Sequence, residues 1–147
     1  MKNNKVKNMR KESRFFSEFI NRSGEDFIVR ENPINLYNKI PMLFKDIAFG
    51  NVDLDKYTKY FCPKLIEIMY QRAIEIGQEK YVLMKALELY LSQSPQDNVA
   101  GVLYMKAKKQ VYAYNVLATG IQNIRMTSNL SYINTMASSL RDVRFDV

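Results

Sequence analysis

The stretch PKLIEIMYQRAIEIGQEKYVLMKALELYLSQ, residues 63–93, decides the fold. Its apolar side chains recur at alternating spacings of three and four residues, interrupted once by Lys80. This spacing predicts a central core helix that starts at Pro63, can bend at Gly77 and ends before Ser94-Pro95. The positions that carry the pattern are Ile66, Met69, Ala73, Ile76, Leu83, Leu87 and Tyr90.

A second long helix is predicted to pack antiparallel against the first, because only a short turn at residues 96–98 separates them. We expect it to span about Val99 to Leu140. The polar cluster at residues 127–129 can bend or re-cap it, and Gln110 is a polar interruption of its apolar face. That face consists of Leu103, Ala107, Tyr114, Leu117, Ile121, Ile124, Leu130, Ile133, Ala137 and Leu140.

The part of the chain before residue 63 predicts shorter elements. A flexible basic arm at residues 1–8 precedes a helix that we expect from Met9 to residue 21 or 22. Asn32-Pro33 opens a further helix, which Pro41 kinks or restarts and Gly50 closes, and Asp53 caps a short one.

Residues 25–31 and 143–147 have the composition of short strands and can pair with each other. Because the helical period dominates from Pro33 onward, we predict a mainly α fold. Residues 9–147 form one domain, a helical bundle of four to six helices built on the long antiparallel pair. The two short segments add at most a minor β pairing.

Composition excludes most enzyme classes. The chain has no His and a single Cys, Cys62, so the common zinc, iron and copper ligand sets cannot form, nor can Ser-His or Cys-His nucleophile pairs. Its five glycines are isolated, which excludes a phosphate-binding loop. A third function class, an enzyme with a carboxylate-held metal, rests only on the pairs Asp53/Asp55 and Glu75/Glu79. We therefore predict no catalysis, no cofactor, no metal site and no small-molecule substrate.

The single cysteine and the lack of a signal-peptide pattern predict a protein that is intracellular, in the cytoplasm, when made. Frequent Lys, Asn, Ile and Tyr are typical of a low-GC genome, either bacterial or viral. If the source is viral, the virion is the alternative location. No membrane association is predicted.

Residues 110–140 carry one charge, Arg125, although 25% of the whole chain is charged. Neutral amide and hydroxyl side chains can be covered by a partner without the cost of burying ions, so this stretch predicts a contact with other protein subunits. Asn115, Gln122 and Asn129 form its polar seam, at intervals of seven residues. The predicted partner interface comprises Asn115, Gln122, Arg125, Asn129, Tyr132, Met136 and Phe145.

The net charge of +7 is concentrated in two places. Residues 1–14 contribute +5 and the group Lys106, Lys108 and Lys109 contributes +3. Basic side chains interleaved with aromatic ones are typical of nucleic-acid contacts, so these regions support an alternative function. The candidate contacts are Lys2, Lys5, Lys7, Arg10, Lys11, Arg14, Tyr104, Lys106, Lys108, Lys109 and Tyr112.

The sequence therefore predicts a non-catalytic structural subunit of a larger protein complex, such as a ring, collar or connector component of a virion. The partners are protein subunits, identical or different. The alternative is a nucleic-acid-binding accessory protein that uses the basic arm and the lysine group at residues 106–109.

Overall fold

The computed structural model describes residues 12–20 and 28–141, and this part of the chain is mainly α-helical, which confirms the predicted fold class. The two long helices are an antiparallel pair joined by a short turn, as the spacing of the sequence predicted. In chain order the α-helices are α1 (Arg14–Phe19), α2 (Pro33–Ala48), α3 (Leu54–Tyr57), α4 (Pro63–Gln93), α5 (Asn98–Thr127) and α6 (Tyr132–Ser139). A 3-10 turn, Thr58–Tyr60, follows α3.

Prolines and caps set the helix starts. The side chain of Asn32 accepts a hydrogen bond from the Ile34 N–H, and Pro33 occupies the first turn of α2. Asp53 caps α3 in the same way. Of the two outcomes predicted at Pro41, a kink or a restart, the restart is wrong, because α2 continues through Pro41 to Ala48. Buried residues on both sides of Pro41, including Ile40 and Leu43, hold the helix together despite the lost backbone hydrogen bond.

The short helix α1 is anchored by polar contacts at its start. The hydroxyl of Ser13 accepts from the Phe16 N–H and donates to Asp46 Oδ2 at 2.7 Å, and the Phe15 N–H donates to the same oxygen at 3.0 Å. Asp46 is 2% exposed, and burial raises the pKa of its carboxyl against the lowering effect of these two hydrogen bonds. Asp46 therefore joins α1 to α2.

Aromatic rings fill the core between α1 and the start of α4. Phe16 is fully buried, stacks on Tyr57 with ring centroids 4.6 Å apart and meets Phe61 edge-on at 5.2 Å. Farther along, Phe44 of α2 meets the ring of Tyr114 of α5 edge-on. These contacts connect the N-terminal helices to the long pair.

The long pair and α6 complete the core. On α5 the buried side chains include Leu117, Ile121 and Ile124, as the apolar spacing predicted. Helix α6 packs on α5 at Gly120, where an added Cβ would lie 2.3 Å from the Met136 sulfur. We call this assembly of α1, α2, α3, α6, residues 63–77 of α4 and residues 110–127 of α5 the body.

The predicted second helix is divided in two. It ends at Thr127, where Ser128 adopts the left-handed conformation with φ of 60° and the Asn129 side chain caps the following turn. The sequence allowed a bend or a re-cap at this cluster. The structure has a break, and the next helix starts after the N-cap position Ser131, which makes no side-chain cap hydrogen bond. Polar side chains that compete with backbone hydrogen bonds account for the break.

The strand prediction fails where the structure can test it. Residues 28–31 form a turn, in which Lys64 Nζ donates to the backbone oxygens of Val29 and Glu31, and Ile28 is buried. The rest of the predicted pairing, at residues 25–27 and 143–147, lies outside the described residues. The basic arm lies outside them as well. The first helix is shorter than the expected span from Met9 to residue 21 or 22, because Ser13 is its N-cap and the extended residue Ile20 ends it, so that only Arg14–Phe19 is helical.

Candidate assembly surface

The α4–α5 hairpin extends well past the body. We call residues 78–93 and 98–109 its distal half. On α4 the buried residues are confined to Leu65, Ile66, Met69, Ala73 and Ile76, so within the described chain burial on this helix ends just before Gly77. The 16 residues beyond Gly77 span about 24 Å at the helical rise. The predicted core helix is therefore a core helix along only half of its length.

The distal half exposes many large apolar side chains. On α5 the buried residues of this half are two alanines, Ala100 and Ala107. Most of the remaining apolar positions are between 46% and 72% exposed. They are Tyr81, Val82, Leu83, Leu89, Tyr90, Val99, Val102, Leu103 and Met105. Such a set, on two adjacent helices, exceeds the scattered apolar exposure that is normal for a soluble protein surface.

Charge is distributed unevenly along this hairpin. Residues 86–105, which form its tip, contain two charged side chains, Glu88 and Asp97. Lys85 lies 3.6 Å from Glu88, and the Tyr90 hydroxyl donates to Asp97 Oδ2 at 2.6 Å. That hydrogen bond lowers the pKa of Asp97, which also caps α5 through the Ala100 N–H. The lysines stand nearer the body, at positions 80, 85, 106, 108 and 109.

Three residues of the predicted interface lie at a groove between α5 and α6. Asn115, Tyr132 and Met136 line a concavity of about 340 Å³, together with Tyr112, Val116, Thr119, Gly120, Asn123 and Thr135. Asn115 is exposed and Tyr132 is half-buried, whereas Met136 is only 2% exposed because it packs on Gly120. The lining carries no charged side chain.

Arg125, the one charge of residues 110–140, is held by α4 of its own chain. Its guanidinium lies 3.0 Å from the Glu67 carboxylate and 4.3 Å from the centre of the Tyr70 ring, and it donates to Gln122 Oε1 at 2.9 Å. Sequence spacing could not show this contact, because Glu67 and Arg125 lie far apart in the chain. The side chain is 34% exposed, so a partner would meet it already paired.

The remaining predicted interface residues are Asn129 and Phe145. Asn129 is exposed, and its side-chain oxygen accepts from the backbone and hydroxyl of Ser131. It therefore shapes the turn before α6. Phe145 lies outside the described residues.

The candidate nucleic-acid residues fall into two groups. Lys2, Lys5, Lys7, Arg10 and Lys11 lie outside the described residues, and Arg14 is exposed at the start of α1. On the hairpin Lys106, Lys108 and Lys109 are exposed, Tyr112 is 54% exposed and Tyr104 is half-buried. The basic-aromatic interleaving expected from the sequence is thus present on the surface of α5.

One carboxylate of each predicted pair has a structural role. Asp53 accepts from the Asp55 N–H as a helix cap. Glu75 accepts from the Tyr37 hydroxyl and lies 3.4 Å from Arg72. Burial raises the pKa of Tyr37, and its hydrogen bond to Glu75 raises it further. Across residues 12–20 and 28–141, no three metal-binding side chains are grouped to hold an ion.

Sequence reasoning missed the distal apolar surface. Its positions continue the heptad pattern of the core, so their spacing predicted burial inside the chain. The length of the helix could have identified them. The sequence has too few further apolar segments to cover a 31-residue helix at both of its ends.

Comparison of the chain with protein-family models, with curated proteins and with solved structures finds no match. None of the helices in the described regions combines the length and apolar character that a membrane span requires.

Proposed function

We propose that the protein is a non-catalytic structural subunit of a larger protein assembly, of the ring, collar or connector kind found in virions. The observation that supports the proposal most directly is the uncovered distal half of the α4–α5 hairpin. The groove between α5 and α6, with its uncharged lining, supplies a second surface suited to protein contact.

The energetics favour a covered hairpin. Moving a large aliphatic side chain fully out of water contributes about 1.5–3 kcal/mol, so a half-exposed one still gains about 1 kcal/mol when a partner covers it. The distal half offers such side chains on both helices, among them Leu89 at 68% and Val102 at 69% exposure. Helices that are apolar on every side are ordinarily buried, and residues 99–105 of α5, which are all apolar or Gly, meet that description.

The extended shape of the hairpin also suits assembly. Its two helices support each other over a length that the body does not cover, so the tip can reach a neighbouring subunit. A catalytic site would instead need a concave pocket with convergent polar groups. The concavity at the tip is lined by Asn98, Val99, Val102 and Leu103, which supply apolar contact and a single amide.

The second candidate function, nucleic-acid binding, is favoured by one observation. Lys108 and Lys109 are exposed beside Tyr112, which is itself 54% exposed. A basic cluster next to an accessible aromatic ring can hold a phosphate backbone and stack a base. This surface lies at the base of the distal half, so it can be tested separately from the tip.

The test compares two sets of apolar surface positions. One variant replaces Leu83, Leu89, Val102 and Leu103 by Glu, and the control replaces Ile34 and Phe49, which are 69% and 59% exposed on the body, by Glu. Sedimentation of extracts from the cells that produce the protein should show the parent and the control in a large particle. The hairpin variant should remain free, because four added carboxylates oppose desolvation of the contact.

Two results would contradict the proposal. One is a hairpin variant that enters the large particle as the parent does, and the other is a parent that sediments only as a free chain. Nuclease treatment distinguishes the second candidate function, nucleic-acid binding, from protein assembly. A particle that disappears with nuclease and at high salt is held together by nucleic acid. Helix content and melting temperature of the purified variants confirm that each is folded.

A further inference from the structure

One side of the α4–α5 hairpin is covered by the body at one end and uncovered at the other. On α4, Met69 and Ile76 are 0% and 7% exposed, whereas the next two positions of the same heptad row, Leu83 and Tyr90, are 46% and 48% exposed. Residues seven apart lie on nearly the same side of a helix. The row is thus continuous across the end of the body.

Helix α5 repeats the pattern in the opposite direction. Ile124, Leu117 and Gln110 are at most 5% exposed, and the next position of their row, Leu103, is 47% exposed with Val99 beside it at 72%. The body covers the row of α4 and the row of α5 at the same end of the hairpin. The exposed residues that continue the two rows therefore lie on the same side of the hairpin. We call Leu83, Tyr90, Val99 and Leu103 the distal face.

We propose that the distal face binds the distal face of a second copy of this chain, with the two hairpins antiparallel in a four-helix bundle. The inference rests on the proposed assembly function and specifies one of its contacts. The contact is isologous, because each copy contributes the same surface about a two-fold axis near Leu87. The body ends of the two copies then point in opposite directions.

Charge complementarity selects a second copy as the occupant. The tip of each hairpin carries two charged side chains, the acids Glu88 and Asp97, whereas the part nearer the body carries five lysines and one acid, Glu79. An antiparallel pair sets the acidic tip of one copy beside the lysines of the other, and Asp97 falls opposite Lys80. A parallel pair would set acid against acid and lysine against lysine, which is unfavourable.

Existing contacts leave Asp97 available for this role. It keeps its charge at neutral pH, and its acceptance of hydrogen bonds from Tyr90 and the Ala100 N–H leaves further lone pairs on the carboxylate. Tyr90 belongs to the distal face, so this hydrogen bond also fixes the ring against the turn. The tip is therefore ordered before a second copy binds, which reduces the entropy that association costs.

Sedimentation velocity of the purified full-length chain tests the contact. We expect a reversible dimer, and Leu83→Glu or Leu103→Glu should each raise its dissociation constant on the order of a hundredfold. Val82→Glu is the matched control, because Val82 is 66% exposed but points to the edge of the hairpin, away from the distal face. Leu83→Ala serves as a milder variant that adds no charge, and it should weaken the dimer by a smaller factor.

Disulfide formation tests the orientation, in chains that also carry Cys62→Ser. Within one chain, positions 80 and 97 lie about 20 Å apart along the hairpin, too far for a disulfide. A mixture of Lys80→Cys chains with Asp97→Cys chains should therefore form a crosslinked dimer on oxidation. Lys80→Cys chains alone, or Asp97→Cys chains alone, should form far less of the crosslinked dimer.

Several outcomes would overturn the inference. One is a chain that stays monomeric at all concentrations. Others are a dimer whose dissociation constant does not change with Leu83→Glu, or one that Val82→Glu weakens as much as Leu83→Glu does. The last is crosslinking of each cysteine variant with itself but not with the other variant. The two proposals can fail separately. If the purified chain is monomeric but the quadruple Glu variant of the hairpin still fails to enter the large particle, the self-contact is refuted and the proposed assembly function is retained. If the chain is monomeric and that variant enters the particle, both proposals are refuted.

Discussion

The two halves of the α4–α5 hairpin have the same secondary structure and the same apolar spacing, yet only one half is covered. In the proximal half, Met69 of α4 and Leu117 of α5 are fully buried. In the distal half, Leu83 and Leu103 stand at equivalent heptad positions and are about half exposed. Heptad spacing therefore identifies an apolar face, whereas the covering of that face depends on elements elsewhere in the chain.

The largest effect is expected from matched leucines of α5. Leu117→Ala should lower the free energy of unfolding by about 2–5 kcal/mol, because it leaves a cavity in the body. Leu103→Ala should lower it by about 1 kcal/mol or less, because the side chain is half in water. Urea unfolding at dilute concentration, where self-association is absent, measures both. Equal losses would mean that the distal half is covered as the proximal half is.

Removal of the Asp46 anchor of α1 should leave the proximal half less well covered, and in this respect more like the distal half. Asp46→Ala leaves the Ser13 hydroxyl and the Phe15 N–H without their buried acceptor, which should cost about 2 kcal/mol in unfolding free energy. Asp46→Asn retains one acceptor oxygen and should cost less. If thermal unfolding showed the two variants as stable as the parent, Asp46 would not anchor α1.

The same glycine substitution should have opposite signs in the two halves. Gly120→Ala forces Met136 to move and should destabilise the protein by about 1–3 kcal/mol. At Gly101 an added Cβ meets nothing within 4 Å, so Gly101→Ala should stabilise the helix by about 0.5–1 kcal/mol. Melting temperatures shifted the same way by both changes would contradict this difference in packing.

The smallest effect near neutral pH concerns Tyr114. Burial raises the pKa of Tyr114 to about 12, from 10.0. Between those values the folded state retains a proton that the unfolded state has lost, so this contribution to stability is complete below pH 10 and declines as pH rises toward 12. Tyr114→Phe should therefore show a shallower loss of unfolding free energy over that interval. Identical pH slopes would show that the hydroxyl titrates as if it were exposed.

Local signals in the sequence predicted most of the helices. Pro33, Pro63 and the caps Asn32 and Asp53 define helix starts through chemistry within a few residues, and all four act as expected. Pro41 did not restart the helix, because tertiary packing of α2 outweighed the local cost. The turn at residues 28–31 depends on Lys64, a contact that local strand composition cannot reveal.

The predicted interface residues stay a prediction, whereas the distal apolar surface was not predicted. The charge-poor stretch at residues 110–140 indicated covering, and much of it is covered by this chain itself, through Leu117, Ile121 and the packing of α6. A further exposed apolar surface lies at residues 81–105, where the apolar content had been assigned to the core. Where a core ends is set by the sum of all packed elements, so the position of that boundary could not be read from α4 alone.

Helix α4 crosses the edge of the body as one uninterrupted element, and this continuity has a consequence for local opening. Backbone amides near Met69 can exchange with solvent deuterium only when the body unfolds, whereas amides near Leu89 need only a separation of the two helices at the tip. Exchange rates should therefore increase from Gly77 toward Gln93 within a single helix. Binding of a partner at the tip would flatten this gradient, and the amides that slow down would map the contact residue by residue.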